Sequence, residues 1–147
     1  MDSRRLEEFI EYFENVDERL YDQRLITHGD GTAACLSSHI FAYVSFRSPD
    51  YPIIMHVEEE GEGLVFATER DMSQDQIGMI LDTAEGYLDI SNAQSRALFD
   101  RVIYMGVGQG GYRNPTKSDA IIVLKHLLKY RVVDWEPYTR NKREKGE

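Results

Sequence analysis

The residues of this 147-residue chain best suited to chemistry form two groups of opposite charge. The run Val57-Glu-Glu-Glu-Gly-Glu-Gly63 gathers Glu58, Glu59, Glu60 and Glu62 at one predicted turn. Carboxylates so crowded suit the docking of a basic protein, because complementary charge speeds encounter and rejects wrong partners. The second group begins at Gly106-Val-Gly108-Gln-Gly-Gly111 and runs through Arg113 to Thr116-Lys-Ser118. A glycine loop entering a helix start offers open backbone N–H groups, and hydroxyls and cations beside it complete an anion site. The candidates for that chemistry are Gly108, Gly110, Gly111, Arg113, Thr116, Lys117 and Ser118.

The glycine spacing, G-x-G-x-x-G, resembles the dinucleotide-binding fingerprint, and Asp134 stands 23 residues beyond the last glycine, where that fingerprint has a ribose-binding acid. Asn114-Pro115 postpones the helix that should start inside the glycine run, and only 36 residues follow Gly111. What survives is a site for a phosphate or nucleotide, set against a connector in which glycine merely turns the chain.

Other constellations are thinner. His28, His39, His56 and His126 form no H-x-x-x-H pair and no Cys/His set of zinc spacing. His28-Gly-Asp30 reads as a turn in which the aspartate bonds its own backbone. Cys35, the single cysteine, stands among apolar residues as a packed thiol and not a nucleophile. Asp50 with Glu58-Glu-Glu60 has the carboxylates of a metal-dependent nuclease, but no lysine precedes Lys117 to polarise a phosphodiester. The sequence therefore assigns no catalytic residue, no metal ligand and no cofactor.

Charge is the strongest compositional signal. Residues 1–100 carry 21 Asp/Glu and 7 Arg with no Lys, while residues 101–147 carry 10 Lys/Arg and 5 Asp/Glu, for an overall net charge of −9. Such polarity speaks to partners and not to fold. With 41% hydrophobic residues the chain can build one core, which makes residues 1–137 a single domain with 138–147 as a polar basic tail. No stretch approaches the roughly 18 apolar residues of a membrane span. One cysteine allows no internal disulfide, which suits the cytoplasm.

The elements that must carry these groups follow from periodicity. Leu6, Phe9, Ile10, Phe13, Val16 and Leu20 predict a helix over 3–22, with Ser3 as N-cap. Alternation at Ile40, Ala42, Val44 and Phe46, then at Ile53, Met55 and Val57, then through Leu64–Thr68, predicts an antiparallel β-meander of three to four strands. The stretch 33–39 is ambiguous between strand and helix. Two capping boxes, Ser73-x-x-Gln76 and Ser91-x-x-Gln94, open two helices. A strand at Arg101–Val107, a helix over 116–130 with Pro115 in its first position, and a strand at Tyr130–Trp135 complete an α+β fold.

On this reading the protein is a small acidic binding or regulatory protein without catalysis, of inhibitor, immunity or chaperone type. It would meet a basic partner through an acidic surface built from Glu58, Glu59, Glu60 and Glu62, the wet arc of the first helix, and Asp71, Asp75, Asp82, Glu85 and Asp89. The alternatives are an enzyme that binds nucleotide or phosphate at 106–118, and nucleic-acid binding by Lys125, Lys129 and the basic tail.

Overall fold

The computed structural model of the chain describes residues 1–28, 32–45, 57–59, 63–65, 73–101 and 114–136, the two three-residue segments by backbone alone. Helix α1 (Ser3–Glu14) buries Leu6, Phe9, Ile10, Tyr12 and Phe13. Its N-cap is Asp2, whose carboxylate accepts the Arg5 N–H, and not Ser3 as the sequence suggested. An aspartate caps as well as a serine and adds negative charge at the positive helix end. The predicted helix also stops short. Asn15 closes α1, and a single 3₁₀ turn (Glu18–Leu20), capped by Asp17, follows.

The β-meander is the main correction. Residues 40–45, expected as its first strand, belong to helix α2 (Leu36–Ser45). Every residue from Thr32 to Ile40 is buried, as are Ala42 and Tyr43. A helix enclosed on nearly all sides needs no polar face, so it loses the 3.6-residue signature and can imitate alternation. The α+β assignment fails with it, and among the described residues the protein is helical. The strands that remain there are β1 (Val57–Glu59) and β2 (Gly63–Val65), an antiparallel pair with Glu58 opposite Leu64. A lone bridge joins Thr27 to Ala33 across the predicted His28–Thr32 turn, and the His28 N–H reaches the Thr32 carbonyl at 3.0 Å.

Local signals were followed closely in the second half. Helices α3 (Gln74–Leu88) and α4 (Asn92–Leu98) start at the two expected boxes, with Ser73 and Ser91 each bonded reciprocally to the glutamine three residues on. Helix α5 (Lys117–Tyr130) starts at a third box, Thr116 with Asp119, which leaves Pro115 outside the helix. The last expected strand is absent: Tyr130 ends α5, and residues 131–136 form neither helix nor strand. The expected strand at 101–107 lies outside the described residues beyond Arg101, as do the tail 138–147 and most of 46–72.

Helices α1 and α5 pack together, α2 packs against α3, and α1 touches both α2 and α3. One large core joins Leu6, Phe9 and Phe13 to Leu36 and Ile40, to Ala84 and Leu88, and to Val123, Leu124 and Leu127. Aromatic rings dominate its centre: Phe9 stacks on Phe13 at 5.5 Å, and Tyr12 meets Tyr43 at 4.7 Å. A smaller cluster of Ile26, Ala33, Ala42 and Ile80 fills the other side of α2. Side chains from distant helices also hold the helix ends. Arg5 donates to the Tyr87 carbonyl at 3.2 Å and lies over the Tyr87 ring, at the C-terminus of α3. Gln94 donates to Arg131 O at 3.0 Å, just past α5. Cations and donors there satisfy carbonyls that the helix itself leaves open.

Candidate functional site

The acidic turn of the sequence lies on the β1–β2 hairpin. Glu58 and Glu59 stand in β1, whereas Glu60 and Glu62 fall outside the described residues. Antiparallel pairing sets Glu58 opposite Leu64 and Glu59 opposite Gly63. On α1, Glu7, Glu11 and Glu14 recur at four- and three-residue steps along the exposed arc. The arginines of this part of the chain are held by neighbours: Arg4 by Glu8, Arg5 by Asp2, Arg19 by Asp17 and Arg24 by Asp22. Side-chain hydrogen bonds from Arg19 bring the Asp17 carboxyl down to about 2. Burial pushes Asp22 up, but the Arg24 side-chain and backbone donors outweigh it and hold the group below the usual carboxylate range. Glu14 takes Lys125 at 3.5 Å. Glu7 and Glu11 enter no ion pair among the described residues.

Of the expected anion site, Gly108, Gly110, Gly111 and Arg113 lie outside the described residues. Thr116, Lys117 and Ser118 do stand at a helix start. There the Asp119 carboxylate accepts from the Thr116 N–H at 2.9 Å and from its hydroxyl at 3.0 Å, so the chain's own anion sits on this N-terminus. Lys117 turns the other way: its ammonium donates to the carbonyls of Glu14 and Val16, both at 2.7 Å, and closes the C-terminus of α1.

Beneath the surface the fold assembles polar groups that no spacing advertised. Nε2 of His28 and Nε2 of His39 both meet the Leu20 carbonyl, at 2.8 and 2.9 Å, and since a carbonyl only accepts, both nitrogens carry hydrogen. Burial brings His39 down to about 4, against a smaller opposing effect of the Leu20 carbonyl. Gln23 is fully buried. Its amide donates to the carbonyls of Leu98 and Asp100, and its oxygen accepts from Tyr21 Oη and the Leu36 N–H. Burial raises the Tyr21 phenol well above its ordinary value, which keeps it a neutral donor. Cys35 is buried where α2 begins, with its sulfur 3.2 Å from the hydroxyls of Ser37 and Ser38. No group of three or more His, Cys, Asp or Glu among the described residues is arranged to hold a metal ion.

A surface groove of about 250 Å³ lies between α3 and α4. Leu81, Asp82 and Glu85 form one wall; Asn92, Ser95, Arg96 and Phe99 form the other, at i, i+3, i+4 and i+7. The sequence marked the two carboxylates as surface charge but overlooked Ser95 and Arg96. Their spacing from the Ser91 cap was the available signal, because it sets all four residues of that wall on one face.

No helix among the described residues is long and apolar enough to cross a membrane. Comparison with protein-family models, curated proteins and solved structures gives no match to this chain.

Proposed function

We propose that the protein is a non-catalytic binding protein of the cytosol that engages a basic protein partner through its carboxylate surface, as inhibitors, immunity proteins and chaperones do. The observation that carries this reading is the local closure of four arginines onto single neighbouring acids. Each such pair is neutral at a distance, which leaves Glu7 and Glu11 on α1 as carboxylates without a paired cation among the described residues. Glu7 and Glu11 on the outer arc of α1 and the run at Glu58, Glu59, Glu60 and Glu62 are the groups assigned to the partner. Exposed pairs add little affinity, so these charges serve chiefly encounter rate and choice of partner. A cytosolic setting is supported by the single cysteine, Cys35, which is buried and has no partner in the chain for a disulfide.

The test is capture of a partner from the native host, followed by binding kinetics with the purified pair. Association should slow by at least about tenfold between 0.1 M and 1 M salt, as the screening length falls from about 10 to about 3 Å. Replacing Glu58, Glu59, Glu60 and Glu62 by Gln should slow it comparably at low salt. Association insensitive to both changes would overturn the proposal.

A further inference from the structure

We propose that the groove between α3 and α4 binds a small zwitterion of the α-amino-acid class, independently of any protein partner. Its two walls carry opposite charge. Asp82 and Glu85 stand on α3 and Arg96 on α4, and none of the three enters an ion pair within 4.0 Å among the described residues. Arg4, Arg5, Arg19 and Arg24, by contrast, each meet a nearby acid at 2.7 to 3.4 Å. Here the charges line the two walls of one groove without pairing.

The floor adds an independent mark. Ser95 lines the groove, and its hydroxyl makes no hydrogen bond among the described residues. Its oxygen is open to the groove and free to bond a bound molecule as donor or acceptor. Leu81 and Phe99 supply apolar surface beside it.

One ligand chemistry uses all of these features. A primary ammonium satisfies Asp82 and Glu85, a carboxylate takes the fork of Arg96, and the Ser95 hydroxyl bonds either head group. A small apolar side chain then covers Leu81 and Phe99. A lone cation would face Arg96, and a lone anion would face the two acids, so each meets repulsion on one wall. The volume of about 250 Å³ admits a molecule of this size.

The experiment is an amide NMR titration of the full chain with L-leucine, with isopentylamine (leucine without its carboxylate) and with 4-methylpentanoate (leucine without its ammonium). Leucine should shift α3 and α4 amides saturably, with a dissociation constant on the order of 1 mM. Each fragment should bind at least about tenfold more weakly, because one charge-assisted contact is gone and one repulsion remains. Arg96→Met and Glu85→Gln should each lower leucine affinity by at least about tenfold, with the dispersion of the remaining amides unchanged. Saturation by no probe, a fragment that binds as tightly as leucine, or leucine binding unaltered in Arg96→Met would each overturn the proposal. The fragment comparison uses the unsubstituted chain, so it stands even where a variant misfolds.

Discussion

Two buried or half-buried side chains at the middle of the molecule do structural work that their sequence neighbourhoods leave open. His39 is fully enclosed beside Phe13 and donates to the Leu20 carbonyl. Burial lowers its folded-state value to about 4, below the unfolded value near 6.5. Between those two limits the unfolded chain binds the proton and the folded chain refuses it, so stability falls as pH drops from about 6.5 to about 4. The loss should approach about 3 kcal/mol in urea titrations across this window, and His39→Gln should flatten that part of the profile. Lys117 permits a different test. As the closure of α1 at Glu14 and Val16, it predicts that Lys117→Met lowers stability by about 2 kcal/mol with no ligand present. Thermal denaturation checks this, and an unchanged midpoint would mean that the ammonium's contacts contribute nothing. The sequence identified Lys117 as a cation at a helix start, but the carbonyls it reaches are about a hundred residues away and could not be read from spacing.

Among the elements, legibility tracked how local the determinants are. The boxes at Ser73 and Ser91 each need only four consecutive residues, and both helices begin where those residues place them. Ser73→Ala should therefore cost about 1 kcal/mol, read as a shift in the denaturant midpoint at constant slope. The far end of α5 shows the opposite situation. Arg131 adopts a left-handed conformation at φ 63°, a region where glycine carries no Cβ penalty, while only its backbone closes the helix onto Leu127 O. Arg131→Gly should raise stability by roughly 0.5–1 kcal/mol, and a lower melting temperature would contradict that account. Helix α2 was misread because its pattern is set by burial on both sides and not by its own chemistry. Small and large apolar residues alternate along Ile40–Val44, but the helix is sandwiched between the large core and the cluster of Ile26, Ala33 and Ile80. Enclosure of that kind removes the polar stripe by which a helix is recognised.

At the scale of the molecule, the elements divide by how much they bury. Helices α1, α2 and α5 share the aromatic and aliphatic core, whereas α4 buries only Ser95 and Leu98. Native-state hydrogen exchange should find the central amides of α1, α2 and α5 protected to near the global free energy, with those of α4 opening earlier. Equal protection throughout would show that α4 unfolds only with the rest. By itself the sequence determined the capping boxes of α3 and α4, the amphipathic faces of α1 and α5, the approach of 57–59 to 63–65 and the opposed charges of the two ends, because each depends on residues within a few positions of one another. Only the tertiary structure decided that residues 36–45 coil into a buried helix, that two histidines share one carbonyl, that Lys117 serves α1, and that Glu85 and Arg96 line one groove. Those outcomes depend on which surfaces meet, and burial, desolvation and the separation of charges acquire their values only once helices distant along the chain have packed together.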